Sequence, residues 1–369
     1  MIESPFYKRL NECLHEQGGI FNAHLHLDRA GTLHEKYFAG VDHEISRNFH
    51  LSLHEKHHLI GAVHAGRAYE PEDLRERIEL YLNGLIDCGT RRADTLTDTT
   101  ADRVKLNALE IALDLKHKYR DSIDLQVAAY SPLGFRDDEP ERWEILQAAA
   151  QKADFLSALP EADDQDEYPE HIGFMEHCRR FLELGQELGK PIHVHTDQRN
   201  EPSESGTERL VEAVRRWGAP QSPNGDPMVW AVHLISPSTY DDDRFNRLVD
   251  GMLETGIGVI CCPSAAVGMR QLRAINTPTY NCIPRLLEFA AAGVPIRLAS
   301  DNIADICSPS TTEDLRDEVF MLSAALRFYN ADILATFAAG KPLSDKQRAL
   351  VSQHLEANAA QIAKWNVAL

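Results

Sequence analysis

The sequence predicts an α/β protein folded as one (β/α)₈ barrel of the TIM type. Three observations indicate this class: short apolar runs alternate with helical patterns, the runs number eight, and polar residues suited to catalysis end several of them. Eight alternating units favour a closed parallel barrel over an open doubly wound sheet. A dinucleotide-binding sheet would also carry a GxGxxG turn after an early strand, and the chain has none.

The predicted strands are the apolar runs bounded by turn or helix-breaking residues, at 20–26, 92–98, 124–130, 153–159, 190–196, 228–234, 257–262 and 295–300. Helical patterns fill the connections at 52–60, 72–88, 103–119, 143–152, 172–188, 206–217, 241–255 and 284–292. Further helices are predicted at 3–17, 314–329, 331–339 and 344–365. We therefore predict a single domain over 1–369, with an N-terminal helix at 1–19, the barrel at 20–310 and C-terminal helices at 311–369.

Composition limits the class of function. The chain has 369 residues, of which 43% are hydrophobic and 26% charged, as in an ordinary globular protein with a large core. The net charge of -19 argues against nucleic acid or an anionic membrane as a partner, because binding phosphates requires clustered Lys and Arg. A small-molecule substrate fits better. The N-terminus resembles no signal peptide and no stretch approaches a membrane span, so we expect a cytoplasmic protein.

Cysteine usage indicates neither a disulfide framework nor a thiolate metal site. The seven Cys are scattered without CxxC spacing. Cys261 and Cys262 are adjacent, but neighbouring residues of a strand point to opposite faces, so the pair is expected to pack rather than to bind a ligand. Any metal site must therefore use other residues.

His24 and His26 are the strongest candidates for such a site. Side chains at positions i and i+2 of a strand share a face, so the two imidazoles can converge on one point. An isolated HxH is more often surface or packing in a chain with 17 His. A third imidazole and a carboxylate from other strands, taken from His195, His233 and Asp301, would complete a ligand set suited to zinc or ferrous iron with an open position for water.

The position of these residues along the chain supports the same interpretation. Catalytic groups of (β/α)₈ barrels lie at the carboxyl ends of the strands. His24 and His26 end the first predicted strand, His195 the fifth, His233 the sixth and Asp301 the eighth. A random scatter of His and Asp would not fall so consistently at strand ends.

Four short motifs carry a family resemblance. They are His24-Leu25-His26-Leu27-Asp28, Val194-His195-Thr196-Asp197-Gln198, Val232-His233 and Ala299-Ser300-Asp301-Asn302. In order and strand position they resemble the strand-one, strand-five, strand-six and strand-eight motifs of the amidohydrolase superfamily, and within it those of the cytosine deaminase branch. The family's flanking β-sandwich is not expected, because the first barrel strand begins near residue 20.

The resemblance implies a metal-dependent hydrolase with one divalent ion per chain, held by His24, His26, His195 and Asp301. Zinc is favoured and ferrous iron is the alternative. One ion is favoured because the predicted fourth strand lacks the Lys that bridges two metals in binuclear relatives. His233 is implied to stabilise the attacked centre.

Gln198 departs from the family pattern, which has Glu after the Asp of VHxD. An amide donates and accepts hydrogen bonds but does not exchange a proton near neutral pH, so Gln198 argues against ordinary aminopyrimidine deamination. Relatives that hydrolyse N-alkylated triazines, the N-isopropylammelide isopropylaminohydrolases, are similar in managing without that Glu. Gln198 is then expected to orient the substrate.

The expected reaction is cleavage of a C–N bond in a small nitrogen heterocycle, by deamination or amine release, through attack of a metal-bound hydroxide. Asp301 is the expected proton acceptor, and His233 polarises the attacked group or carries the proton to the leaving nitrogen. Candidate substrate-binding residues are Arg29, Arg270 and Asn302. For each Arg, the plainer interpretation is a solvated loop charge.

Other functions remain open at this point. One alternative is hydrolytic opening of a cyclic amide, and another is a catalytically inactive, metal-dependent binder of small molecules, which Gln198 keeps open and the intact ligand set disfavours. An adenosine-deaminase-like or phosphotriesterase-like hydrolase is disfavoured because neither the catalytic Glu nor the bridging Lys is present. Helices outside the barrel and resemblance to multimeric deaminases are compatible with a homo-oligomer.

Overall fold

A computed structural model describes residues 4–37, 53–269 and 282–364. In these residues, eight strands form one sheet in which neighbours in sequence are neighbours in space, and all seven adjacent pairs are parallel. The strands are β1 (Ile20–Leu25), β2 (Thr90–Asp98), β3 (Asp124–Tyr130), β4 (Phe155–Ala158), β5 (Ile192–Thr196), β6 (Val229–His233), β7 (Gly258–Cys261) and β8 (Ile296–Leu298). The predicted (β/α)₈ barrel is confirmed.

The barrel is nearly closed by one contact between its first and last strands. Leu25 at the end of β1 forms a parallel bridge with Asp301, three residues beyond β8. The Asp301 N–H donates to the carbonyl oxygen of His24 at 3.0 Å. The two ends of the sheet therefore meet at two of the predicted metal ligands.

Helices surround the sheet, and each helix of the barrel connections and of the two ends is present where the sequence predicted it. They are α1 (Pro5–Glu16), α2 (Leu53–Ala65), α3 (Pro71–Asp87), α4 (Asn107–Tyr119), α5 (Glu141–Lys152), α6 (Phe174–Leu188), α7 (Gly206–Trp217), α8 (Asp242–Thr255), α9 (Pro263–Met269), α10 (Leu286–Ala292), α11 (Leu315–Leu326), α12 (Ala331–Ala338) and α13 (Asp345–Lys364). The short helix α9 was not predicted. Helix α4 begins four residues later than predicted, because residues 101–106 form turns in which Lys105 has a φ of 45°.

The strands are buried on both faces, as expected where helices cover the outside of a barrel and side chains fill its interior. Every residue of β1, β5 and β6 is buried. Polar side chains in these strands consequently lie inside the protein, where each must find a partner or a ligand.

The two end segments of the described chain pack on each other outside the barrel. Helix α1 lies against α12, and Gln17 donates to the Thr336 hydroxyl at 3.1 Å. Helix α12 also contacts β1 and β8, so it covers the seam of the barrel. The described residues contain no sheet besides the barrel and no helix long and apolar enough to cross a membrane.

Candidate metal centre and active site

The structure brings five predicted site residues together at the carboxyl ends of the strands. The ligand atoms of His24, His26 and His195 lie within 4.8 Å of one another. Asp301 Oδ1 lies 3.4 Å from His26 Nε2 and 3.8 Å from His24 Nε2. The His233 ring lies 5.4 Å from the His195 ring, measured between centroids. We call these five residues the histidine cluster.

Several polar atoms of the histidine cluster are buried without a hydrogen-bond partner in the described chain. They include His24 Nε2, both ring nitrogens of His233, and Asp301 Oδ2. Each such atom costs about 1–3 kcal/mol when left unpaired in a protein interior. Three imidazoles and a carboxylate with free lone pairs form a donor set that fits zinc or ferrous iron, so the residues present fit the implied divalent ion.

Groups behind the cluster hold two of its rings in place. The ring of His195 bonds through Nδ1 to the carbonyl oxygen of Ala158, at 2.9 Å. That bond leaves Nε2 of His195 as the ligand atom, in the manner of metal-binding histidines. His193 lies one pleat deeper, with its Nδ1 3.4 Å from Nδ1 of His24, where it orients the His24 ring.

The electrostatic state of the cluster also suits a cation. Burial and the neighbouring imidazoles lower the pKa of His24 and His195 well below the usual range, and burial lowers the pKa of His233. Burial alone would raise the pKa of Asp301, but the hydrogen bond from His26 and the nearby His233 outweigh it and lower that pKa. His24, His195 and His233 are therefore neutral and Asp301 is ionised near neutral pH.

Backbone strain is concentrated at the same strand ends. Asp197, His233 and Asp301 have φ values of 59°, 80° and 61°, in the left-handed region that residues other than glycine rarely adopt. Strained residues of this kind persist where the surrounding structure fixes them and are common at functional sites.

Gln198 is buried and bonded to a residue that the sequence analysis missed. The amide nitrogen of Gln198 donates to Glu161 Oε2 at 2.7 Å, and the backbone N–H of Asp197 donates to Glu161 Oε1 at 2.7 Å. Glu161 lies in the turn Pro160–Asp163 that follows β4. Burial, and after it the charges of Glu204 and Asp197, raises the pKa of Glu161 well above its usual range.

Asp197 has a structural role in the same loop. Its carboxylate accepts hydrogen bonds from the backbone N–H groups of Gly206 at 2.6 Å and Thr207 at 2.9 Å, at the start of α7. The hydroxyl of Thr207 donates to it as well. Asp197 thus fixes the connection between β5 and α7, and with it the position of Gln198.

Arg29 is buried and paired, so the interpretation of this residue as a solvated loop charge is wrong. It is 6% exposed, and its guanidinium donates to both carboxylate oxygens of Asp98. The same carboxylate binds His64 at 2.9 Å and the Tyr69 hydroxyl at 2.8 Å, and Tyr69 also donates to Asp28. We call these five residues the Asp98 cluster.

Two predicted substrate-binding residues remain, and the structure describes one of them. Asn302 is buried beside Asp301 and donates through its amide nitrogen to Asp305, which leaves its amide oxygen as an acceptor. Arg270 lies outside the described residues.

Tyr130, at the end of β3, was missed by the sequence analysis. Its ring lies 5.4 Å from the ring of His26 and 5.3 Å from that of His195, and the guanidinium of Arg29 lies 5.6 Å from its centroid. Burial raises the pKa of its hydroxyl. The rule that polar residues at strand ends form the site would have found it, since the predicted strand ends at this residue.

The chain is similar to known proteins both in its sequence and in its fold. No family model matches it. A pterin deaminase from Rhizobium rhizogenes is 24% identical over 256 residues, which are 67% of this chain and 54% of that protein. The chain thus matches about half the length of this relative.

Similarity to solved structures identifies the fold. A 5-methylcytosine deaminase from Klebsiella pneumoniae superposes with a TM-score of 0.74 and 23% identity, over 87% of this chain and 73% of that one. The chain shares the (β/α)₈ barrel fold of that deaminase. An N-isopropylammelide isopropylaminohydrolase from Burkholderia multivorans gives a TM-score of 0.65 at 18% identity, over 87% and 74% of the two chains. The chain therefore shares its fold with a deaminase and an aminohydrolase, as the resemblance of its motifs predicted.

A zinc-containing structure is among the more distant matches. An atrazine chlorohydrolase from Arthrobacter aurescens, solved with zinc, superposes with a TM-score of 0.52 and 13% identity, over 88% of this chain and 71% of that one. At these identities the likeness establishes the fold, and the chemistry has to be argued from the site.

Proposed function

We propose that the protein is a metal-dependent hydrolase that releases ammonia or an amine from a ring carbon of a small nitrogen heterocycle. This proposal rests on the histidine cluster. Its imidazole and carboxylate atoms converge in the protein interior, and several of them have no hydrogen-bond partner in the described chain. The comparisons support the same class, since the matched proteins include deaminases and aminohydrolases of heterocycles. The net charge of -19 agrees with a small-molecule substrate.

His24, His26, His195 and Asp301 would hold one divalent ion, with zinc favoured by donor type and by the zinc-containing relative, and ferrous iron as the alternative. When bound, such an ion supplies Lewis-acid activation of water and of the attacked carbon near neutral pH. The imidazoles of His24 and His195 are neutral, so they need not lose protons before binding the ion.

Proton movement falls to Asp301 and His233. Asp301 is ionised, and its Oδ2 has no hydrogen-bond partner in the part of the chain that the structure describes, so this oxygen can accept the proton that the attacking water loses. His233 is neutral, and neither of its ring nitrogens has a hydrogen-bond partner among the described residues. It can therefore receive that proton and donate one to the nitrogen that leaves as the C–N bond breaks. The nitrogen takes the electron pair of the broken bond and leaves as neutral ammonia or amine.

Substrate binding is assigned to residues around the cluster. Tyr130 packs against two ligand rings, Arg29 lies over Tyr130, and no described residue donates to the amide oxygen of Asn302. Arg29 is held by Asp98, so it contributes a fixed positive charge rather than a mobile one. These groups suit a planar ring with polar edges.

The metal assignment is tested by elemental analysis of protein purified without chelator. We expect about one zinc or iron per chain in the wild type and loss of the metal in a His24→Ala, His26→Ala double variant. A His15→Ala, His117→Ala double variant removes two exposed imidazoles from α1 and α4 and should keep the metal. Absence of transition metal from the wild type after supplementation with zinc and iron would refute the proposal.

The reaction class is tested on the metal-loaded protein with a panel of cytosine, guanine, pterin and N-isopropylammelide, and with a cyclic amide as the alternative substrate. Released ammonia or isopropylamine supports the proposal, whereas a new carboxylate from the cyclic amide alone would replace it with ring opening. Tight binding of a heterocycle with no turnover of any compound would favour the inactive binder.

A further inference from the structure

A partly buried Glu161 and a buried Gln198 form an amide–carboxyl pair between the ends of β4 and β5. Gln198 is 4% exposed, and its amide nitrogen is committed to Glu161 Oε2. The other carboxylate oxygen of Glu161 is committed to the backbone N–H of Asp197. Oε2 therefore faces Gln198, while Oε1 is fixed by the main chain.

The two ends of an amide have opposite hydrogen-bonding character, since the nitrogen donates and the oxygen accepts. A carboxylate at Glu161 can only accept, so it binds the nitrogen of Gln198 and leaves the amide oxygen for other partners. In the described chain, no group donates to that oxygen at hydrogen-bonding distance. Glu161 thus determines which end of Gln198 is left free.

Neighbouring acids do not compete for Gln198. Asp197 is occupied by the start of α7, and Glu204 accepts from the backbone N–H of Arg199 at 2.9 Å and from the Ser236 hydroxyl. The amide of Gln198 and the carboxylate of Glu161 consequently form a specific pair within a wider acidic loop.

We propose that Glu161 is a positioning residue that sets the orientation of Gln198, so that the amide oxygen of Gln198 meets the substrate and selects heterocycles with a ring N–H or amino donor at that point. This proposal rests on the proposed function and defines the substrate edge that the site recognises. Gln198, which stands where the resembling motif has Glu, then binds the substrate by a hydrogen bond without exchanging a proton.

The charges around Glu161 make this selection dependent on pH. Glu204 and Asp197 face Glu161 and, with burial, raise its pKa, while Gln198 and Arg199 oppose the rise. Once protonated, Glu161 can donate from Oε2 to the amide oxygen, and the amide then presents its nitrogen instead. Ligands with a donor edge should therefore bind best above the pKa of Glu161, and ligands with an acceptor edge below it.

A measurement without substrate tests the pair directly. The side-chain amide signals of protein labelled with ¹⁵N-glutamine are followed by NMR as pH is varied, and the Gln198 signal is identified by its loss in Gln198→Met. We expect that signal to move with pH in the wild type and to stay constant in Glu161→Gln. A Glu204→Gln variant, which removes a like charge, should lower the midpoint. A constant wild-type signal, or one that still moves in Glu161→Gln, would overturn the proposal.

Kinetics then separate positioning from a general structural role, using whichever panel heterocycle is turned over. Glu161→Gln should raise KM roughly tenfold, about the value of one hydrogen bond, with kcat changed far less. A Glu161→Gln, Gln198→Glu double variant restores a carboxyl–amide pair with the roles exchanged, and it should recover the lost affinity at a pH where the new carboxyl is ionised and accepts from the new amide. A fall in kcat at constant KM would contradict positioning. Failure of the proposed function would instead appear as absent metal or turnover, with the NMR titration intact.

Discussion

The histidine cluster and the Asp98 cluster are both buried, and each combines histidine with an aspartate from the end of a strand. They differ in how many of their polar atoms have hydrogen-bond partners. In the histidine cluster, the pKa values of His24, His195 and His233 are lowered, and several atoms have no partner in the described chain. In the Asp98 cluster, His64 lies between the carboxylates of Asp98 and Asp102. Burial would lower its pKa, but these hydrogen bonds raise it to about 9. Burial of a histidine therefore identifies a site only together with its partners.

The largest expected effect is on turnover. Asp301→Asn preserves side-chain size but removes the negative charge and the proton acceptor, so we expect at least a thousandfold loss of kcat, about 4 kcal/mol, with the folded structure retained. Steady-state kinetics and circular dichroism measure the two quantities, and Asp243→Asn on the exposed side of α8 is the matched control. A rate near that of the wild type would show that Asp301 belongs to neither the ligand set nor the proton path.

The corresponding change in the Asp98 cluster should act on stability. Asp98→Asn leaves the cations of Arg29 and His64 without their shared counter-ion, and breaking one partner of a buried ion pair costs about 3–5 kcal/mol. Urea unfolding of the metal-free proteins should show this loss, while Asp301→Asn should change the unfolding free energy of the metal-free protein far less. Equal losses of unfolding free energy in Asp98→Asn and Asp301→Asn would show that the two clusters do not differ in their contribution to stability.

The charge of His64 predicts how stability depends on pH. Its folded pKa of about 9 lies above the ordinary value of 6.5, so its contribution is complete below about pH 6.5 and is lost as pH rises through 9. A shift of this size corresponds to about 3 kcal/mol. Urea unfolding of the wild type between pH 6 and pH 10 should show the decline, and His64→Gln should flatten it. An unchanged decline in His64→Gln would assign the effect to another group.

The smallest expected effects separate two buried tyrosines. Tyr69→Phe removes hydroxyl hydrogen bonds to Asp28 and Asp98 and should lower the unfolding free energy by about 1–3 kcal/mol. Tyr130→Phe keeps the ring against His26 and His195 and should leave stability nearly unchanged while raising KM a few-fold. Stability and KM are measured for both variants. The reverse pattern would place the structural tyrosine at the histidine cluster.

Much of the fold was predictable because the pattern of each strand is local. All eight predicted runs became strands, since apolar runs bounded by breakers are typical of strands buried on both faces. The prediction that His24, His195 and Asp301 come together rested on one architectural rule, that strand ends of a barrel share an edge. The fold and the convergence of the histidine cluster therefore followed from sequence.

The remaining contacts depend on which loops meet, and no local pattern indicates that. His64 bonds to Asp98, 34 residues away, across a connection whose course the sequence does not specify. Glu161 lies in an acidic stretch that resembles a surface loop, and only its contact with Gln198 shows that it belongs to the site. Arg29 likewise became a buried charge because Asp98, 69 residues away, accepts from it.

The seam of the barrel has a thermodynamic consequence. Strand β8 has only three residues, and the bridge between Leu25 and Asp301 is what joins it to β1 in the described chain. His24 and Asp301 stand on opposite sides of this seam and face a common point. Any ligand bound by both therefore fastens the first strand to the last, and its binding free energy is also free energy of barrel closure. Ligand binding and closure of the sheet are therefore thermodynamically linked. Loss of the ligand weakens the contact between the first and last strands of the barrel.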